Sequence, residues 1–506
     1  QTGLDDMIPQ LPDITSRDIT RPLYSAVFTA HPVFALKPEV SAAMCHHAVA
    51  KAGVVPHDAF APRQSVTLDD EHGEAMAALK HARAAINEIN ADILRQLRSA
   101  DPDGWRKTLP AMINVSTWVG YDLDGRSDIS WTDSFRLRLR EKYMALRGYE
   151  RAVRDSKIDM LSPVADRLAV GCATTSQHLK AFEAVESGKA EFDTVMNALT
   201  EDPDRLVSSH ALAKEIHQIA QDIPDEEDAL AALVIAADIS THGFGMGEIH
   251  LRINAVQLRN AMRPVDGRTT SISDGVSSPR LLMERLASRI REEAAWDISF
   301  ASLDGETATA RRQLMLATQF LKHIDSDQPV RLLIAECEKP LTIMSALYLA
   351  HKFGIAGMID ISPLFETSFG LEHGEKIVDQ LLQQPVFLDY LRQRGRLSIQ
   401  TGFSDAGRFV GQVAANMAIE RLQLKILRSL KAKVGTSVDL LIFNTHGESL
   451  GRGGAQAPMA QRQAWLMTPY VRQQATELGI SLFHQSSFQG GDGYRLFGSA
   501  ELAKAT

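Results

Sequence analysis

Two hydrophobic patterns alternate along the chain. Long stretches carry apolar residues three and four apart, the spacing of an amphipathic helix. They are HGEAMAALKHARAAINEINADILRQLRSA (72–100), SFRLRLREKYMALRGYERAVRDS (134–156) and GQVAANMAIERLQLKILRSLKAK (411–433). Between them lie short runs that are apolar on both faces: YSAVFTA (24–30), AMINVSTWV (111–119), IHLRINA (249–255), VRLLIAE (330–336), GMIDIS (357–362), RLSIQTG (396–402), VDLLIFN (438–444) and ISLFHQ (480–485). Each of the last five follows a helical stretch. Runs of this kind alternating with helices predict a parallel sheet covered on both faces. Eight of them predict an α/β fold, a (β/α)8 TIM-type barrel with extensive additional α-helices. The helical insertions fall at about 40–105, 134–240 and 256–325. The run at 249–255 also reads as the start of a helix.

Length alone points to about three domains, and 506 residues exceed the ~250–300 at which one core stops growing. A single barrel-based domain over 1–506 with long insertions accounts for the excess, and no short repeat is visible. Lys+Arg number 54 against Asp+Glu 63, a net charge of −9, which gives no electrostatic reason to expect nucleic acid. An anionic substrate would need a local arginine cluster. Cys45, Cys172 and Cys337 are far apart and lack metal-ligand spacing, which suits a reducing compartment. No run approaches 18 apolar residues, so no membrane span is expected. The first residues, QTGLDDMIPQLPDI, have neither a basic head nor an apolar core, so no signal peptide is expected and a cytoplasmic location is.

Polar and glycine-rich chemistry follows the apolar runs: His31 and Pro32 after the first, GYDLDGRSD (120–128) after the second, PLFET (363–367) after the fifth, FSDAGR (403–408) after the sixth, and THGESLGRGG (445–454) after the seventh. Strand C-termini are where barrel enzymes keep their sites. These motifs, with FTAHP and LLIAECEKPLTIMSALYLAHKFGIAGMIDISPLFET, resemble phosphoenolpyruvate carboxylase in order and internal spacing from His31 to about Gly498. The resemblance implies a helix-wrapped barrel, a homo-oligomer (dimer or tetramer), and Mg2+ or Mn2+ as cofactor. Bicarbonate attacks the phosphorus of phosphoenolpyruvate, and the enolate captures the released carbon dioxide to give oxaloacetate and phosphate. Membrane and nucleic acid are not expected as partners.

The resemblance places the metal on Glu366 and Asp405. Carboxylates are the ligands hard cations prefer. Taken alone, Glu366 reads as a helix N-terminal acid and Asp405 as an N-cap. His31 falls on the family's proton-handling histidine; alone it reads as a buried, hydrogen-bonded imidazole. Arg452 falls on the second arginine of the family's glycine loop, where Gly451, Gly453 and Gly454 would let backbone N–H groups approach an anion. Arg408 stands where the family has a lysine, keeping charge but not geometry. Asp122, Asp124 and Gly125 persist in the motif of the second strand, and are expected near substrate.

The chain also departs from the pattern. Without a gap, Asn444 falls on the loop histidine and His446 on the first loop arginine; a two-residue gap would put His446 on the histidine. Both are candidate catalytic residues. Leu123 and Val256 replace arginines, Val33 a threonine, and Glu448, if turned inward, would repel phosphate. Arg126, Arg252, Arg259, His446 and Arg495 are candidates to compensate. The helical region that normally follows the family's barrel is not found before Thr506, so a partner chain could supply it. Three readings stay open: a divergent phosphoenolpyruvate carboxylase, a metal-dependent lyase on another 2-oxo acid or enolate, and a non-catalytic relative acting as a binding or partner subunit. The pair His46 and His47 reads as surface helix. GFGMG (243–247) lacks the lysine and preceding strand of a nucleotide loop.

Overall fold

The computed structural model describes residues 19–30, 36–50, 65–126, 128–263 and 278–506. Eight parallel strands close a barrel in chain order: β1 (Tyr24–Thr29), β2 (Ile113–Thr117), β3 (Glu248–Asn254), β4 (Val330–Ala335), β5 (Ile359–Phe365), β6 (Arg396–Gly402), β7 (Asp439–Thr445) and β8 (Leu482–Gln489). Closure is by β1 on β8, in a register that runs from Tyr24 opposite His484 to Thr29 opposite Gln489. All eight predicted runs are strands. The ambiguous third one is a strand as far as Asn254, whose side chain then caps the helix Ala255–Ala261. β5 runs three residues beyond its predicted end, to Phe365, and so delivers Glu366 directly to the rim.

The helices labelled below are α1 (Leu68–Ala100), α2 (Trp131–Ser156), α3 (Glu226–His242), α4 (Phe403–Val410), α5 (Gln412–Lys433) and α6 (Met459–Leu466). α1 lies between β1 and β2. α2 and α3 lie between β2 and β3, along with helices at Ser162–Glu186, Phe192–Glu201 and Ser209–Asp222. Reciprocal capping boxes start α1 (Thr67 with Asp70) and α2 (Ser130 with Asp133), each satisfying two otherwise unpaired N–H groups. Among the described residues no helix is long and apolar enough to cross a membrane.

A buried polar knot ties this helical layer to the barrel. Glu141 of α2 accepts from Tyr121 Oη at 2.8 Å and from Arg138 at 2.5 Å, and lies 3.0 Å from His72 of α1. Arg138 also donates to the carbonyl of Gly247, just before β3. Burial resists the Glu141 charge, but Arg138, His72 and Tyr121 outweigh it and hold the carboxyl below its usual range.

Outward positions of the strands pack on helices through apolar side chains such as Leu440, Ile442, Leu397 and Ile399. The alternate, inward positions are unusual. An apolar cluster faces the lumen: Val27, Trp118, Leu333, Leu441, Phe443 and Phe483. Barrel interiors are ordinarily filled by branched aliphatic side chains. Here much of the rest is polar. Trp118 Nε1, both ring nitrogens of His250, Nε and Nη1 of Arg331, the hydroxyls of Ser362 and Ser398, Gln400 Oε1 and both amide atoms of Gln485 are buried with no hydrogen-bond partner among the described residues.

Candidate active site

The rim at the strand C-termini gathers a compact set of charges. Glu366 follows β5, and Asp405 sits in the first turn of α4, directly after β6. Neither is a cap: Thr367 caps the helix that follows Glu366, and Gly402 occupies the N-cap of α4. The two carboxyl groups lie close enough for each to influence the other's proton. Gly402 allows this approach, since a Cβ there would lie 2.8 Å from Glu366 Cβ. Burial, above all, and the neighbouring charge of Asp405 push the Glu366 carboxyl up to about 7, against the opposing pull of Arg252. Two carboxylates this close need something positive between them, a proton or a cation.

Donor chemistry therefore fits a divalent ion at Glu366 and Asp405. Among the described residues no cluster of three or more His, Cys, Asp or Glu side chains could hold one. Mg2+ commonly takes one or two carboxylates and completes its shell with water and substrate oxygens, so the pair suffices for that mode of binding.

Two further residues shape the pair. The backbone of Glu336, immediately after β4, lies beside the Glu366 carboxylate and favours its charge. Glu336 has φ of 55°, a left-handed conformation that disfavours residues with a Cβ. Nothing in the sequence marks it, because glutamate gives no signal for positive φ. Arg252, from β3, is held by Asp122 (3.2 Å) and Asp124 (3.0 Å) with its guanidinium over the Trp118 ring. Burial works against its charge, yet Asp122, Asp124 and Glu366 together strengthen it. Asn254 donates to Asp124 at 3.0 Å, the Leu123 N–H donates to the Arg252 carbonyl and the Arg252 N–H to the Tyr121 carbonyl. Asp122 and Asp124 were expected near substrate; the structure engages both with Arg252. Gly125, in the same loop, takes φ of 74°.

Arg408 and Arg452 stand beside Asp405. Arg408 Nη1 lies 3.1 Å from Asp405 Oδ1 and is about half exposed. Arg452 Nη1 is buried with no partner among the described residues. Burial and the charge of Arg408 make its protonation less favourable, with Asp405 opposing. The glycine loop differs from expectation. The amides of Gly453 and Gly454 are taken by the carbonyls of Leu450 (3.1 Å) and Ser449 (2.9 Å), so they are not presented to an anion. The glycines instead permit close packing: Gly453 has φ of 85° and abuts Phe403, and a Cβ on Gly454 would lie 2.3 Å from the Gly447 carbonyl oxygen.

Asn444 corrects the sequence reading. It occupies an outward position of β7, where Thr401 and Gln423 of α5 donate to its oxygen and its nitrogen donates to the Leu466 carbonyl at the end of α6. Its amide is consumed between barrel and helices and does not reach the mouth. His446 lies on a separate arm: its N–H bonds Ser487 Oγ at 2.7 Å, Nδ1 contacts the Gly447 carbonyl at 2.9 Å, and Nε2 is unpaired among the described residues. Burial lowers its pKa to about 4, so the ring is neutral at pH 7. Glu448 does not threaten an anion as expected, because Arg462 of α6 pairs with it. Arg126 is engaged by Asp128 and Glu71, Arg495 by Asp492, and Arg259 is exposed. His31 and Val33 lie outside the described residues.

The family model for phosphoenolpyruvate carboxylase matches residues 194–463, more than half of the chain and all the rim residues just described from β3 to the glycine loop. The chain belongs to the phosphoenolpyruvate carboxylase family. It is 25% identical over 398 residues to the phosphoenolpyruvate carboxylase of Xanthomonas campestris pv. campestris (strain 8004), a match covering 70% of this chain and 41% of that protein. With that of Corynebacterium glutamicum it shares 24% identity over 266 residues, 50% of this chain and 27% of the other. A Thermus thermophilus phosphoenolpyruvate carboxylase is 32% identical over 128 residues, 24% of this chain and 14% of that enzyme. The chain thus matches less than half the length of these curated relatives, at low identity.

Proposed function

We propose that this protein carboxylates phosphoenolpyruvate with bicarbonate, giving oxaloacetate and phosphate. The observation that carries the proposal is the closely spaced carboxyl pair Glu366–Asp405 at the rim, with the unpaired nitrogen of Arg452 nearby. Glu366 and Asp405 would hold Mg2+ or Mn2+, which supplies Lewis-acid stabilisation to the enolate oxygen when bound. The Glu336 backbone and Gly402 fix the orientation of Glu366. Arg452, supported by Arg408, receives the phosphate dianion, a charge that cannot be buried without cationic partners. Arg252, clamped by Asp122 and Asp124, sets a fixed positive field beside the carboxylates. His31 takes the position of the family's proton carrier.

A coupled oxaloacetate assay with phosphoenolpyruvate, bicarbonate and Mg2+ tests the reading, beside Asp405→Ala and Arg452→Gln controls. Turnover that each control lowers by about 10²–10³ supports it. Metal binding without oxaloacetate formation would move the assignment to another enolate or 2-oxo acid. Neither metal binding nor turnover would leave a binding role.

A further inference from the structure

The first two turns of α5 are apolar on opposite sides. Ala415 and Ile419 join the core, while Val413 and Met417, one turn apart on the other side, are 66% and 68% exposed. A helix that is apolar all round is ordinarily covered all round. Farther along, the outer face of α5 becomes charged, with Arg421, Arg428 and Lys431 exposed, as suits water. The apolar stripe continues the other way. Phe409, 75% exposed, and Val410 close α4, and Gly411, with φ of 84°, turns the chain into α5. Gln412 donates to the Gly451 carbonyl at 3.0 Å, which brings exposed Leu450 to this junction. Exposed Phe369 lies in the helix Ser368–Leu381, which packs on both α4 and α5.

Among the described residues, thirteen large hydrophobic side chains are exposed, and these six gather on one face beside the rim. At their exposures they leave on the order of 600 Å² of apolar surface in water, the upper end of what a monomer carries in one patch. A standard interface buries about 800 Å² per partner, of which about 56–65% is apolar. The patch therefore holds the apolar share of one such interface. Its centre is uncharged, and its edge carries exposed Arg408, Arg421 and Glu372. Phe, Met and Arg are residues that interfaces favour. A contact between identical faces needs both signs of charge on one patch, whereas an anionic lipid surface calls for cations without the acid.

We propose that this face is the interface of a two-fold homodimer, in which the outer stripe of α5, extended by Phe409, Val410 and Leu450, packs on the same stripe of a second copy. A two-fold axis through the stripe sets Val413 of one copy against Met417 of the other. α4 carries Asp405 and Arg408 and Leu450 precedes Arg452, so the contact adjoins the rim and shields one side of it from water. The interface does not depend on the metal or on the substrate.

The test is the mass of the full chain in solution, by light scattering and sedimentation at micromolar concentration, for the unaltered protein and for Val413→Glu, Met417→Glu and Met160→Glu. Met160 is an exposed methionine just after α2, away from the patch, and serves as the control. The unaltered protein and Met160→Glu are expected to run as dimers. Val413→Glu and Met417→Glu are each expected to lose the dimer, because the contact would bury two unpaired carboxylates, one from each copy. Both positions are exposed in the single chain, so the far-ultraviolet circular dichroism of the resulting monomers is expected to match that of the unaltered protein. A second variant keeps the comparison valid should one misfold. An unaltered protein that is monomeric overturns the proposal, whether or not it floats with phosphatidylserine vesicles. Any assembly that folded Val413→Glu or Met417→Glu leaves intact overturns it as well.

Discussion

Glu366 is the residue whose environment most constrains what the rim can do. Its carboxyl, raised to about 7 from 4.5 by burial and by Asp405, keeps a proton in the folded protein at pH values where the unfolded chain has lost it. That contribution to stability is full below about pH 4.5 and is lost as pH rises through 7. A divalent ion must displace the same proton. Apparent Mn2+ affinity is therefore expected to rise with pH up to about 7 and flatten above it, with proton release measurable by calorimetry in buffers of different ionisation enthalpy. Glu336 belongs to the same scale. Replacing it with glycine relieves the left-handed strain while keeping the backbone that lies beside Glu366. Glu336→Gly is expected to gain about 0.5–1 kcal/mol in urea unfolding and to keep Mn2+ affinity. Gly402→Ala is expected to do the reverse, weakening Mn2+ binding at least tenfold because its methyl group intrudes on Glu366. These two positions show where sequence reasoning ran out. The closeness of Glu366 and Asp405, the pair proposed to hold the metal, was legible through matching motifs, whereas a left-handed glutamate and a carboxylate-contacting glycine are visible only once strand ends are placed in space.

At the scale of elements, the eight strands were legible because fully covered parallel strands are apolar on both faces. The same property hid their phase. In VDLLIFNT nothing distinguishes the inward set from the outward set, so the match that put Asn444 on the loop histidine carried no check on its direction; it is Thr445 that faces inward. A one-residue shift in phase exchanges the two faces completely. The polar knot around Glu141 left no comparable trace, because His72 lies 69 residues and Tyr121 20 residues from Glu141 along the chain. Glu141→Ala would strand Arg138 in the interior without a counter-charge. A loss of about 3–5 kcal/mol is expected for such a break, read as a lower urea midpoint. Ser130→Ala removes only a cap and is expected to cost about 1 kcal/mol. Glu141→Gln is expected to fall between the two.

Over the whole molecule, the helical layers between β1 and β4 and the barrel are joined by such buried contacts, and the rim chemistry is drawn from β2, β3, β5, β6 and the loop after β7. The predicted barrel is therefore more than a fold assignment: Glu366 and Asp405 are 39 positions apart and meet only because β5 and β6 are neighbours in a closed sheet. The cations are fewer than the family pattern implies, and the structure shows which remain disposable. Arg252 is committed to two aspartates and Arg462 to Glu448, whereas Arg452 has no ion-pair partner among the described residues and buries an unpaired Nη1. Arg452→Lys is accordingly expected to raise the KM for phosphoenolpyruvate while leaving Mn2+ affinity unchanged. The account rests on one metal at one carboxylate pair. The most direct measurement is Mn2+ titration of the full chain at pH 7.5 followed by electron paramagnetic resonance, for the unaltered protein and for Glu366→Gln/Asp405→Asn. The account predicts one tightly bound Mn2+ per chain and none in the double variant; equal binding by both proteins would contradict it.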